Sequence, residues 1–212
     1  MAGNLEKGRG SPWQVAIFVA LVAIIALLLW LSPAEQTLGN VVKLIYLHGA
    51  LARTGLVTFG VAGLMGLAAL VVRRPALAAW CDAAGKSALT FWIVYSLSSM
   101  VSTYMAWGVL VAWNEPRVVA SIQVLAAASL IAGANYFVGH FCFTAATNLL
   151  LGGLTWWLTR RAAIVRHPFN PIGESDSLVI KSFYVALLIA CLLLAAFVTY
   201  WFHQKSRDVD SS

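Results

Sequence analysis

From Val118 to Leu158 the chain runs without one Lys, Arg, Asp or Glu. A single helix of that length would be about 60 Å long, roughly twice the hydrocarbon thickness of a bilayer. The stretch must therefore fold back on itself in an apolar medium. The same pattern fills the rest of the chain, which is 61% hydrophobic and 10% charged. In lipid only a helix or a closed barrel satisfies its backbone. A barrel would show alternating segments of roughly ten residues, and none is present. The expected fold class is all-α, a polytopic membrane protein with six transmembrane helices.

The six segments are read at 13–31, 41–72, 88–112, 118–134, 141–159 and 178–202. The long uncharged stretch is divided at Gly133, Asn135 and Gly139, which offer a turn. Asp82 and Lys86 are assigned to a loop before the third segment. Residues 1–12 form a polar amino-terminal segment, 13–203 the membrane domain and 204–212 a polar tail. The first apolar run is too long for a signal peptide and lacks a small-residue cleavage site, so a retained helix is expected. Cys81, Cys142 and Cys191 are far apart and form no CxxC, which argues against a disulfide framework.

Six crossings fix which features share a side. His48, the stretch WGVLVAWNEPR at 107–117 and His167 all fall on the side opposite the amino terminus, called here the distal side. His140 and His203 fall on the amino-terminal side. The 14 Lys and Arg residues divide evenly between the two sides, so the positive-inside rule does not choose an orientation. The net charge of +6 sits at the ends of apolar runs. That placement points to the membrane surface or an anionic ligand and not to nucleic acid.

One stretch asks for an explanation. KLIYLHGALAR, residues 43–53, places His48 near the start of an apolar helix, between Lys43 and Arg53. An ionisable residue within a membrane segment is a functional candidate. His48 and His167, facing each other on the distal side, would ligate an iron from above and below. Trp107 and Trp113 would offer flat apolar surface to a porphyrin. Arg53, Arg117, Arg160, Arg161 and Arg166 would pair with its propionates. Haem b is the cofactor this constellation suits. The bland alternatives stand beside it: tryptophans as interface anchors, an interfacial imidazole at 48, a loop histidine at 167, and arginines snorkelling to phosphates. No nucleotide loop or HExxH zinc motif is present, and His140 with Cys142 lacks a second pair of ligands. Ser98, Ser99, Ser102 and Thr103 read as helix-packing residues.

These residues resemble the cytochrome c maturation protein C family of haem-handling membrane proteins. Ile45, Tyr46, Leu47 and His48 match the pattern that opens the family's second helix. Trp107, Gly108 and Trp113 match the spacing of its outer tryptophan-rich signature, and His167 is the candidate for its second outer histidine. Leu110 and Val111 stand where the family has paired tryptophans, Asn114 where it has aspartate, and Arg117 is displaced by one residue. The resemblance implies six helices, a cytoplasmic amino terminus in the plasma or inner membrane, and a distal side facing outward. It implies a haem-delivery protein of cytochrome c biogenesis, not an enzyme: it would capture, orient and release haem. The implied partners are ATP-binding cassette haem-export subunits, a membrane-tethered haem chaperone and membrane lipid, within a multi-subunit complex. Two alternatives are a family-derived structural subunit and a b-type haem anchor of a redox complex; the latter usually needs paired histidines on one helix, and no segment here carries two.

Overall fold

A computed structural model describes residues 11–34, 39–165, 172 and 175–210, with side chains as far as Arg207. Among the described residues there are six helices: α1 (Pro12–Leu31), α2 (Val41–Val72), α3 (Pro75–Trp107), α4 (Pro116–Val138), α5 (Phe141–Arg161) and α6 (Leu178–Asp210). The protein is an all-α polytopic membrane protein, and five of these helices are long and apolar enough to cross a bilayer by themselves. The exception is α3, which carries Asp82, Lys86 and a run of hydroxyl residues.

Contacts between helices show that α3 nevertheless traverses the bundle. Going down α2, Gly55 meets Trp92 and Ala62 accepts the Cys81 thiol, so α3 runs antiparallel along it. Ser87 on α3 donates to the Ala195 carbonyl on α6 and Trp80 stacks on His203, again antiparallel. The Trp92 indole N–H donates to the Ser121 carbonyl on α4. Every pairing fits strict up-and-down alternation. The low hydropathy of α3 follows from its place: its neighbours are protein on most sides, so its polar atoms find partners within the bundle.

Helix ends depart from the sequence reading in four places, one of them the end of segment three, which stops at Trp107 and not at 112 because Gly108 takes a left-handed conformation. Segment three begins at Pro75, not Ala88, so Asp82 and Lys86 lie on a helix and form a salt bridge one turn apart. Opposite charges at that spacing support a helix, and α3 is long enough, at about 50 Å, to carry them near the bilayer surface. Arg73, in the left-handed region at φ 53°, and the extended Arg74 alone separate α2 from α3. In the long uncharged stretch Gly139 makes the turn, with φ 61° and its N–H on the Asn135 carbonyl at 3.1 Å; Gly133 stays helical. Finally, α6 continues as helix to Asp210 through what the sequence suggested was a separate tail.

The bundle is closed by small residues. A methyl on Gly66 would lie 2.4 Å from the Ala145 carbonyl oxygen, and one on Gly152 would lie 2.8 Å from the Phe59 carbonyl oxygen. Backbone therefore meets backbone where α2 crosses α5, as membrane helices do when dispersion and not water expulsion holds them. Several hydroxyl groups are satisfied within their own helices: Thr58, Ser96, Thr155 and Thr199 each donate to the carbonyl four residues back. By contrast α1 buries none of its residues and lies on the outside of the bundle, mainly against α6. Gly66→Ala and Gly152→Ala should each cost about 1–3 kcal/mol of stability, since overpacked backbone cannot rotate away. Gly153→Ala, with open space around it, should be neutral or stabilising. Unfolding of the three variants in detergent micelles measures the contrast.

Candidate functional site

His48 enters the distal end of α2 half-buried and turns toward α3. Its ring packs against Tyr95 with centroids 4.8 Å apart and planes inclined by 33°. Its Nδ1 lies 3.5 Å from the Ser98 hydroxyl, which also donates to the Tyr95 carbonyl at 2.8 Å. Tyr95 in turn is buried, close enough to Ser121 and Arg117 on α4 to feel both electrostatically. One tyrosine thus stands in ring contact with His48 and within range of the charge of Arg117. Neither Tyr95 nor Ser98 stood out in the sequence. Ser98 was read as a packing residue, and it is one, but it packs on the imidazole.

The other expected residues lie elsewhere on the distal side. Trp107 is the half-buried last residue of α3, before Gly108 takes φ 71° and ends the helix. Arg53 is exposed, with its guanidinium 5.2 Å from the centre of the Tyr184 ring on α6. Trp113 is 68% exposed and lines a groove of about 430 Å³ between the start of α4 and the end of α5. Trp157 and Arg161 form the facing wall, and His48 does not reach this groove. The separation is a matter of helix rotation: Ser121, Val124 and Ala128 carry the core-facing side of α4, whereas Val119 and Gln123 face the groove from another flank. His167 and Arg166 lie outside the described residues.

A buried acid joins the two distal loops. Glu115 is 1% exposed, and both of its carboxylate oxygens lie 3.3 Å from the Val165 N–H. A buried carboxylate needs such donors. The bond fastens the segment leaving α5 onto the loop between α3 and α4, two residues before His167 in sequence.

Three readings of single residues are resolved. His203 is not at a frayed end: it is 7% exposed and stacks on Trp80 at 3.9 Å between centroids. The cysteines are unpaired, with Cys81 and Cys191 buried. Trp156 and Trp157 each lie under an arginine, Arg160 at 5.2 Å and Arg161 at 5.0 Å, as interfacial anchors do. Among the described residues no three His, Cys, Asp or Glu side chains cluster to hold a metal ion. A porphyrin iron asks for less, one or two axial donors with cations for its carboxylates, and His48, with Arg117 close enough to act on the neighbouring Tyr95, meets part of that need.

Neither a known family model nor a characterised protein matches the chain.

The clasp can be tested directly. Glu115→Ala should speed hydrogen exchange of the Val165 amide by about tenfold or more, the loss of one charge-assisted bond. Unchanged exchange would show that the segment is held by other contacts.

Proposed function

We propose that this is a membrane haem-binding and haem-delivery protein of cytochrome c biogenesis. The observation that supports it most is the grouping of His48, Tyr95 and Arg117 on the distal side. Haem, when bound as cargo, brings an iron seeking an axial donor and two propionates seeking cations. His48 is the axial donor, and Ser98 and Tyr95 fix the orientation of its ring, as partners around a metal-binding histidine commonly do. Arg117 pairs with a propionate. Placement at the end of the bundle suits a protein that must release what it holds. The Glu115 clasp brings the chain leading to His167 beside the Trp113 loop, which favours a second ligand from that segment.

On this reading the distal side faces outward from the plasma or inner membrane and the amino terminus is cytoplasmic. The partners are those of the family that the sequence resembles: ATP-binding cassette haem-export subunits and a membrane-tethered haem chaperone.

A second reading has two observations in its favour. His48 is packed against α3, and the groove holding Trp113 lies on another flank of α4. Both suit a structural subunit that keeps the fold of a haem handler without its cargo.

Absorption spectra of the protein purified in mild detergent separate the two. Haem delivery requires a Soret band that is lost or shifted in His48→Ala and in His167→Ala. Arg117→Ala should weaken haem retention about tenfold, the worth of one charge-assisted pair. A protein that takes up no haem, or holds it equally well without His48, favours the structural subunit.

A further inference from the structure

A groove of about 430 Å³ lies between α4 and α5 on the distal side, and the haem reading centred on His48 leaves it without a role. Its position is set by helix length. At 23 and 21 residues, α4 and α5 just match a hydrocarbon core of about 30 Å. The groove, where α4 begins and α5 ends, therefore sits at the level of lipid headgroups.

Its chemistry is that of an amphiphile with an anionic head. Trp113 and Trp157 line it with indole surface, and Arg161 contributes a cation at the exposed end of α5. Asn114 and Gln123 add uncharged polar groups, and among the described residues no acid is part of the lining. Below the groove the apolar lining of Leu158 continues toward mid-membrane through the exposed Leu154 and Leu150, one and two turns down the same side of α5. A charged mouth thus opens onto an apolar track that leads into the bilayer.

We propose that this groove binds an anionic glycerophospholipid, with its phosphate on Arg161, its glycerol region between Trp113 and Trp157, and an acyl chain along Leu158, Leu154 and Leu150. Charge complementarity selects the class. A headgroup carrying an ammonium would find no carboxylate among the described residues of the lining, whereas a phosphatidylglycerol-type head presents only its anion and hydroxyls. The site is spatially distinct from the end of α2 that carries His48, which its lining does not include. The Glu115–Val165 clasp braces it from behind: Asn114 and Pro116 on one wall flank Glu115, and Ala162 on the other lies at the end of α5 in the segment that leads to Val165.

Native mass spectrometry of the full chain in detergent tests the site, using phosphatidylglycerol and phosphatidylcholine with identical chains. Wild type should retain phosphatidylglycerol about fivefold better, the worth of roughly one arginine at a membrane surface. Arg161→Gln should abolish that preference, and Arg160→Gln, which changes the neighbouring exposed arginine under Trp156, should leave it intact. Trp113→Ala should weaken retention of both lipids. Equal retention of the two lipids by wild type, or an unchanged preference in Arg161→Gln, overturns the proposal. So does complete displacement of lipid by millimolar inorganic phosphate, which would make this a free-phosphate site. Loss of haem uptake in Arg161→Gln with lipid retention unchanged would assign the groove to haem instead.

Discussion

Everything in this bundle depends on how closely α2 can approach its neighbours. In a bilayer, lipid tails solvate an apolar helix as well as another helix does, so association must come from close packing and from hydrogen bonds. Glycine supplies the first. Gly55 gives room to the Trp92 ring, while Gly66 and Gly152 let α2 and α5 touch through their backbones. With α2 held this close, α3 and α5 become its flanks. The distal end of α2, with His48, is then fixed against α3 and not left in lipid.

Trp92 turns that packing into a single register. It is 1% exposed, donates to the Ser121 carbonyl at 2.9 Å, and meets Phe59 edge-on with centroids 5.8 Å apart. One side chain thus sets α2, α3 and α4 relative to one another. Tyr95, one turn further toward the distal side, inherits its position from that arrangement and touches both the imidazole of α2 and the hydroxyl of α4. The candidate site is an extension of the core and moves only if the core does.

Much of this was legible in the residues, and the limits have physical causes. Uncharged runs identify membrane helices because a charge in hydrocarbon is costly, and all six helices were found that way. Asp82 and Lys86 misled for the same reason, since charge marks departure from lipid and not the end of a helix. Gly133 and Gly139 are equally good turn residues in isolation; only packing decides that one bends and the other does not. His48 and Arg117 could be singled out by residue type. Their common neighbour Tyr95 could not, because contacts between helices depend on rotation about each axis, which a nearly uniform apolar pattern leaves undetermined. Glu115 lay within the distal stretch WGVLVAWNEPR, but it bonds a backbone amide, a contact that no side-chain pattern encodes.

The peripheral place of α1 bears on how the molecule is made. Its main neighbour is α6, the last of the six to leave the ribosome, and it buries no residue of its own. The first helix inserted must therefore wait in the bilayer, unpartnered along most of its length, while the other four assemble. The α2–α5 core can settle before that, and docking of α1 is a late closure, completed only after synthesis has passed the final crossing. Between insertion of α6 and docking of α1, the flank of α6 that α1 will cover stays open to lipid or to another chain in the membrane.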